Sequence, residues 1–129
     1  MRVLMLVATS VATDTRVLRE AQTLVDAGHE VHVIGKDVPP DFVAPQGITV
    51  SSAGASSVFR PAGTPSASGR KLSAPQRAAR WALLPQHRNQ AFRSWAQAAG
   101  VDARTREFDV VHAHDFTALE VGAALAAER

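Results

Sequence analysis

The chain opens with an almost unbroken apolar run, "RVLMLVA" at residues 2–8. Successive side chains of a strand point to opposite faces, so a short run without alternation predicts a strand covered on both sides. Followed by the polar stretch "TSVATDTR", it reads better as a buried strand than as a secretory leader, which needs a longer apolar core and a small-residue cleavage site. After this polar loop the period changes. Val17, Leu18, Ala21, Leu24 and Val25 fall on one stripe of a helix. Gly28 stands where a left-handed C-cap would end that helix, and "HEVHVIG" comes at once as a second strand. A strand, helix and strand within forty residues predict parallel strands joined by a right-handed crossover.

Residues 38–73 read as a variable loop rich in Pro, Gly and Ser, within which "GITVSSA" has the form of a short third strand. Helical character returns at 74–99, with Ser73 as N-cap and Pro85 either separating two helices or kinking one. Ala78, Trp81, Ala82, Leu84, Ala91, Phe92, Trp95 and Ala99 share one half of that segment, and Gly100 is expected to end it. "FDVVHAH" is a further strand. "TALEVGAALAAER" is a final helix with Thr117 and Glu120 at capping-box spacing. The order predicts an α/β fold, a Rossmann-like open parallel sheet flanked by helices and truncated at one edge. An unpaired edge and uncovered apolar surface are expected there, and with them marginal solubility.

A length of 129 residues suits one domain or part of one. With no cysteine, disulfides, thiolate metal sites and cysteine nucleophiles are excluded. No apolar run approaches the length of a membrane span. The net charge of +2 conceals a division. Residues 1–41 hold six acids and four bases, and residues 102–129 six acids and three bases. Residues 42–101 hold seven bases and no acid. Such a segment is either a solvated insertion or a surface that faces an anionic partner. Arginine outnumbers lysine twelve to two, and alanine is abundant, as in proteins of GC-rich bacterial genomes.

In a sheet of this kind ligands sit beyond the carboxyl ends of the strands. That places two segments at the site, the loop Thr9–Thr15 and the run His112–Ala113–His114–Asp115. The first loop has no glycine, so it matches neither a dinucleotide fingerprint nor a P-loop. Asp14 is placed to cap the first helix. Arg16, in its first turn, either reaches an anionic or hydroxylated ligand or is solvated. His112 and His114 are two apart on a strand and share a face. As metal ligands they need a third and a fourth partner. His29 lies at the wrong end of the sheet and His87 in the basic helix, so no metal is expected. His112 is otherwise a half-buried histidine bonded to a neighbour, and Asp115 otherwise an N-cap.

Three motifs in order carry a resemblance. Residues 14–24 read "DTRVLREAQTL", residues 28–33 "GHEVHV" and residues 109–115 "DVVHAHD". Together they resemble the N-terminal, acceptor-side domain of GT-B glycosyltransferases of the family-4 type, over residues 1–37 and 101–129. The resemblance implies retaining, metal-independent transfer of a sugar from a nucleotide-sugar to a hydroxyl acceptor. That acceptor is a glycan, a glycolipid or a small polyol. It implies no cofactor, and a donor domain outside this chain. Asp14, Arg16, His112, His114 and Asp115 would then line the acceptor end of the cleft. The histidine usual near the reacting centre is expected beyond residue 129, so no residue here is assigned as catalytic. Such enzymes often act near membranes. Arg77, Arg80, Trp81, Arg88 and Trp95 are accordingly candidates for an anionic membrane surface at the cytoplasmic face, or for packing on the sheet. The alternative is a non-catalytic module that binds an acceptor or a membrane surface, as a pseudo-enzyme or gene fragment. Nucleic acid is not expected, for want of a recognition motif or a stacking platform.

Overall fold

The computed structural model describes residues 1–54, 74–75, 78 and 84–129, with residues 84–89 described by backbone alone. Four strands, β1 (Arg2–Leu6), β2 (Glu30–Lys36), β3 (Ile48–Ala53) and β4 (Val110–Ala113), form one sheet in the order β3-β2-β1-β4. All three pairings are parallel. Among the described residues the long helices are α1 (Thr15–Asp26), α2 (Leu84–Arg104) and α3 (Phe116–Ala127). The protein is therefore an α/β fold with a Rossmann-like open parallel sheet.

β1 lies inside the sheet, and the predicted two-sided burial results from its pattern. Val3, Met5 and Val7 join Val17 and Ala21 of α1 in one core, with Val31, Val33 and Ile48. Leu4, Leu6 and Ala8 face the other way, onto Trp95, Ala99 and Ala103 of α2 and Ala118, Val121 and Leu125 of α3. One apolar run thus serves both layers, and β2, also inside the sheet, adds Ile34 to one and Val31 and Val33 to the other.

Helix α1 begins on Asp14, whose carboxylate accepts from the Val17 N–H at 3.3 Å. It ends as the glycine at position 28 requires. Gly28 has φ +83°, its N–H donates to Val25 O at 2.9 Å, and the next N–H, of His29, donates to Leu24 O at 3.0 Å. These two crossed bonds are a Schellman closure, which a left-handed residue makes possible.

Two expected boundaries are corrected. Gly100 does not end its helix, because α2 runs through it to Arg104. Its role is close packing: a Cβ there would stand 3.4 Å from Val121 Cγ2 of α3 and 3.0 Å from the Arg104 guanidinium. The final helix starts at Phe116, so Thr117 and Glu120 lie inside it and form no capping box; the N-cap is Asp115. Pro85 is the second residue of α2, near an N-terminus that tolerates a missing N–H. Ser73 lies outside the described residues.

β4 is an edge strand, and Val110, Phe116 and Leu119 beside it are exposed. Along it runs an apolar cavity of about 520 Å³, lined among others by Met1, Val3, Leu24, Val110, Leu119 and Ala123. None of the described helices is long and apolar enough to cross a membrane.

Candidate functional site

From β1 the chain proceeds to β2 on one side, and β4 later enters on the other. The carboxyl ends of β1 and β4 are therefore the switch point of the sheet. There the connections diverge and leave a crevice. The two segments singled out by sequence both arrive there, and the backbone explains why. The His114 N–H donates to Leu6 O at 3.0 Å, which continues the β1–β4 ladder one residue past the assigned strand. On the other side of β1, Val7 N–H donates to Ile34 O and Lys36 N–H to Thr9 O, both at 3.0 Å. The loop after β1 is packed down as well. Val11 is fully buried, and a Cβ on Gly35 would fall 2.3 Å from its Cγ2.

Asp14 accepts from the Thr9 hydroxyl at 3.2 Å and lies 3.5 Å from the Arg16 guanidinium. Burial works to raise the Asp14 pKa. The Val17 N–H, the Thr9 hydroxyl and Arg16 outweigh it and hold the carboxylate below its usual value. Arg16 also approaches Asp115 Oδ1 of the second segment, at 3.9 Å. Asp115 caps α3 by backbone alone, since its side chain makes no cap bond and its Oδ2 is buried without a hydrogen-bond partner. Arg16 thus stands between two carboxylates from two loops, with most of its own surface in solvent.

His112 and His114 do share a face, with ring centroids 4.3 Å apart and planes 27° from parallel. Between them and α1 lies Glu20, a residue to which the sequence reading gave no role. Its Oε1 is 3.7 Å from His112 Nε2 and its Oε2 is 3.6 Å from His114 Nδ1. Neither distance is a hydrogen bond. The signal for Glu20 was present but unread: it lies four positions after Arg16 on a helix that starts at the site, so both point the same way. The His114 side chain is only 4% exposed, and its Nε2 has no partner. Burial, then the neighbouring His112, pushes the His114 imidazole below its ordinary pKa, while Glu20 pulls in the other direction. The ring is neutral at physiological pH.

The five residues chosen from sequence at the strand ends, Asp14, Arg16, His112, His114 and Asp115, are therefore adjacent or linked through Glu20 and Arg16. Of the membrane-surface candidates, Trp95 is fully buried against the sheet, which is the packing alternative. Arg77, Arg80, Trp81 and the Arg88 side chain lie outside the described residues. No family model matches the chain, and no curated protein matches it in sequence.

Chemically, the site offers a cation between two carboxylates and a stacked histidine pair facing a third. Such a set donates to and accepts from hydroxyl groups at several points.

Proposed function

We propose that the chain is the acceptor-side part of a GT-B glycosyltransferase of the family-4 type, which moves a sugar from a nucleotide-sugar to a hydroxyl acceptor with retention. The observation that carries this reading is the convergence of Asp14, Arg16, Glu20, His112, His114 and Asp115 at the switch point between β1 and β4. Their donors and acceptors fit the hydroxyls of a glycan, a glycolipid headgroup or a polyol. In this reading the donor nucleotide is held by a second domain outside the 129 residues, and no cofactor takes part. The enzyme works in the cytoplasm at the inner face of the plasma membrane, where the basic residues between 42 and 101 meet anionic lipid.

The test is saturation-transfer NMR of the chain against soluble glycans, polyols and glycolipid micelles. Binding is expected. Arg16→Ala or Asp115→Asn is expected to weaken it about tenfold, the worth of one hydrogen bond to a charged group. Absence of binding to the whole panel, or equal binding by both variants, would sink the reading.

A further inference from the structure

Glu20, His112 and His114 have a second property that does not depend on sugar chemistry. One ligand atom from each can be chosen so that all three lie within 4.8 Å of one another. Two imidazoles and one carboxylate are the donor set that takes a zinc-class ion at three positions and leaves the fourth to solvent or substrate. Ligands at about 2.0–2.1 Å around a tetrahedral ion stand roughly 3.3 Å apart. Glu20 approaches the two rings with different oxygens, Oε1 at 3.7 Å from His112 Nε2 and Oε2 at 3.6 Å from His114 Nδ1, so either oxygen can serve after a small turn of the carboxylate. Both separations are too long to be hydrogen bonds, so the three groups are gathered without being bonded to one another.

His114 is 4% exposed and turns Nδ1 to Glu20, while its other ring nitrogen, Nε2, and Asp115 Oδ2 in the next residue are buried without a partner. Nε2 is the nitrogen through which a ligating histidine takes an outer-shell partner, so it bears on the surroundings of the ion and not on its coordination. The three ligands also differ in exposure. His114 is held by its backbone bond to Leu6 and by burial, whereas Glu20 and His112 are 43% and 38% exposed and can close on an ion from the open side.

We propose that Glu20, His112 and His114 form a binding site for a divalent ion of the zinc class, with the fourth position open to the crevice. His112 and His114 alone lack the third ligand that a metal needs, and α1 supplies it in Glu20. The ion would occupy the groups an acceptor hydroxyl uses, so ion and acceptor compete. The site stands or falls independently of the sugar-transfer reading.

The test uses the full chain without a polyhistidine tag. Zn2+ is titrated by calorimetry in a non-coordinating buffer, and Co2+ by visible absorption, whose intense bands report a four-coordinate ion. The expected result is one saturable site. Glu20→Gln and His112→Gln should each weaken it more than about tenfold, since loss of an outer partner alone costs 10–100-fold. His29→Gln, at the opposite end of the sheet, should leave it unchanged. Glu20 and His112 are partly exposed, so both variants should keep the wild-type circular dichroism. If His112→Gln does not fold, Glu20→Gln decides. No saturable uptake of either ion, or equal affinity in Glu20→Gln, would overturn the proposal.

Discussion

Two histidine clusters in this protein are built on opposite principles. The first centres on His32, in β2. Its Nδ1 lies 2.7 Å from the Thr49 hydroxyl and its Nε2 2.9 Å from the Ser51 hydroxyl. Ser51 in turn donates to Asp102 of α2, and Arg106 grips Asp102 through Nη2 at 2.8 Å and Nε at 3.0 Å. Every group has a partner, and the network ties α2 to strands β2 and β3. The second cluster, Glu20 with His112 and His114, leaves buried atoms unpaired and holds its carboxylate just out of bonding range. Both contain partly buried histidines near acids and an arginine. Only partner satisfaction separates them: a closed network fastens the fold, and an open one awaits a ligand.

The largest expected effect tests the closed cluster. Asp102→Ala removes the acceptor shared by Ser51 and Arg106, and should cost about 1.5–3 kcal/mol, the range for hydrogen bonds to a charged group. Urea denaturation would show a lower midpoint at unchanged slope. A loss below about 0.5 kcal/mol would mean that the network fastens nothing.

A pH experiment comes next. Burial first and Arg106 second lower the His32 pKa to about 4, against some opposition from Asp102. The unfolded chain, titrating near 6.5, binds a proton in a range where the folded protein does not. Stability should therefore be fully present above about pH 6.5 and fall as pH drops toward 4. The hydrogen bonds make this a sharp test. Thr49 donates to Val31 O and Ser51 to Asp102, which leaves both hydroxyls as acceptors toward the ring. A neutral ring has one N–H, so one hydroxyl must turn its proton to His32. Burial and Arg106 both disfavour the imidazolium, so the ring stays neutral and one hydroxyl turns its proton to it. In His32→Asn the pH dependence over this range should flatten. An unchanged profile would assign it to other groups.

The smallest effect belongs to the open cluster. Glu20→Gln breaks no hydrogen bond, so its melting curve should match the wild type within about 0.5 kcal/mol, while ligand binding suffers. A double-mutant cycle of Asp102→Ala with Glu20→Gln should be additive within roughly 0.5 kcal/mol, since the two share no partner. Coupling beyond that would erase the distinction between the clusters.

Much of the frame was legible because it rests on local rules. "RVLMLVA" has the length and unbroken apolarity of a strand buried on both sides, and Gly28 closes its helix by the φ it adopts readily. The misses come from contacts between distant parts of the chain. Gly100 looked like a stop, but it is a flat place where α3 comes close. Thr117 and Glu120 had capping-box spacing, yet Asp115 already held the cap. For the site, the two loops could be placed by topology, and their residues do converge. The place of Glu20 on the Arg16 face of α1 could be read from its spacing, but its approach to His112 and His114 could not, because they lie far along the chain. The ties between His32 and Asp102 were hidden for the same reason. No spacing rule spans a crossover that has not yet been built.

The bond from the His114 N–H to Leu6 O has a consequence for how such a site can change. It is made by main chain, so the depth of residue 114 in the crevice does not depend on which side chain it carries. The same holds for Thr9, whose carbonyl is held by Lys36 N–H. The sheet sets the positions, and the side chains supply the chemistry. A lineage could exchange one set of side chains for another, and so one ligand for another, without renegotiating the architecture that presents them.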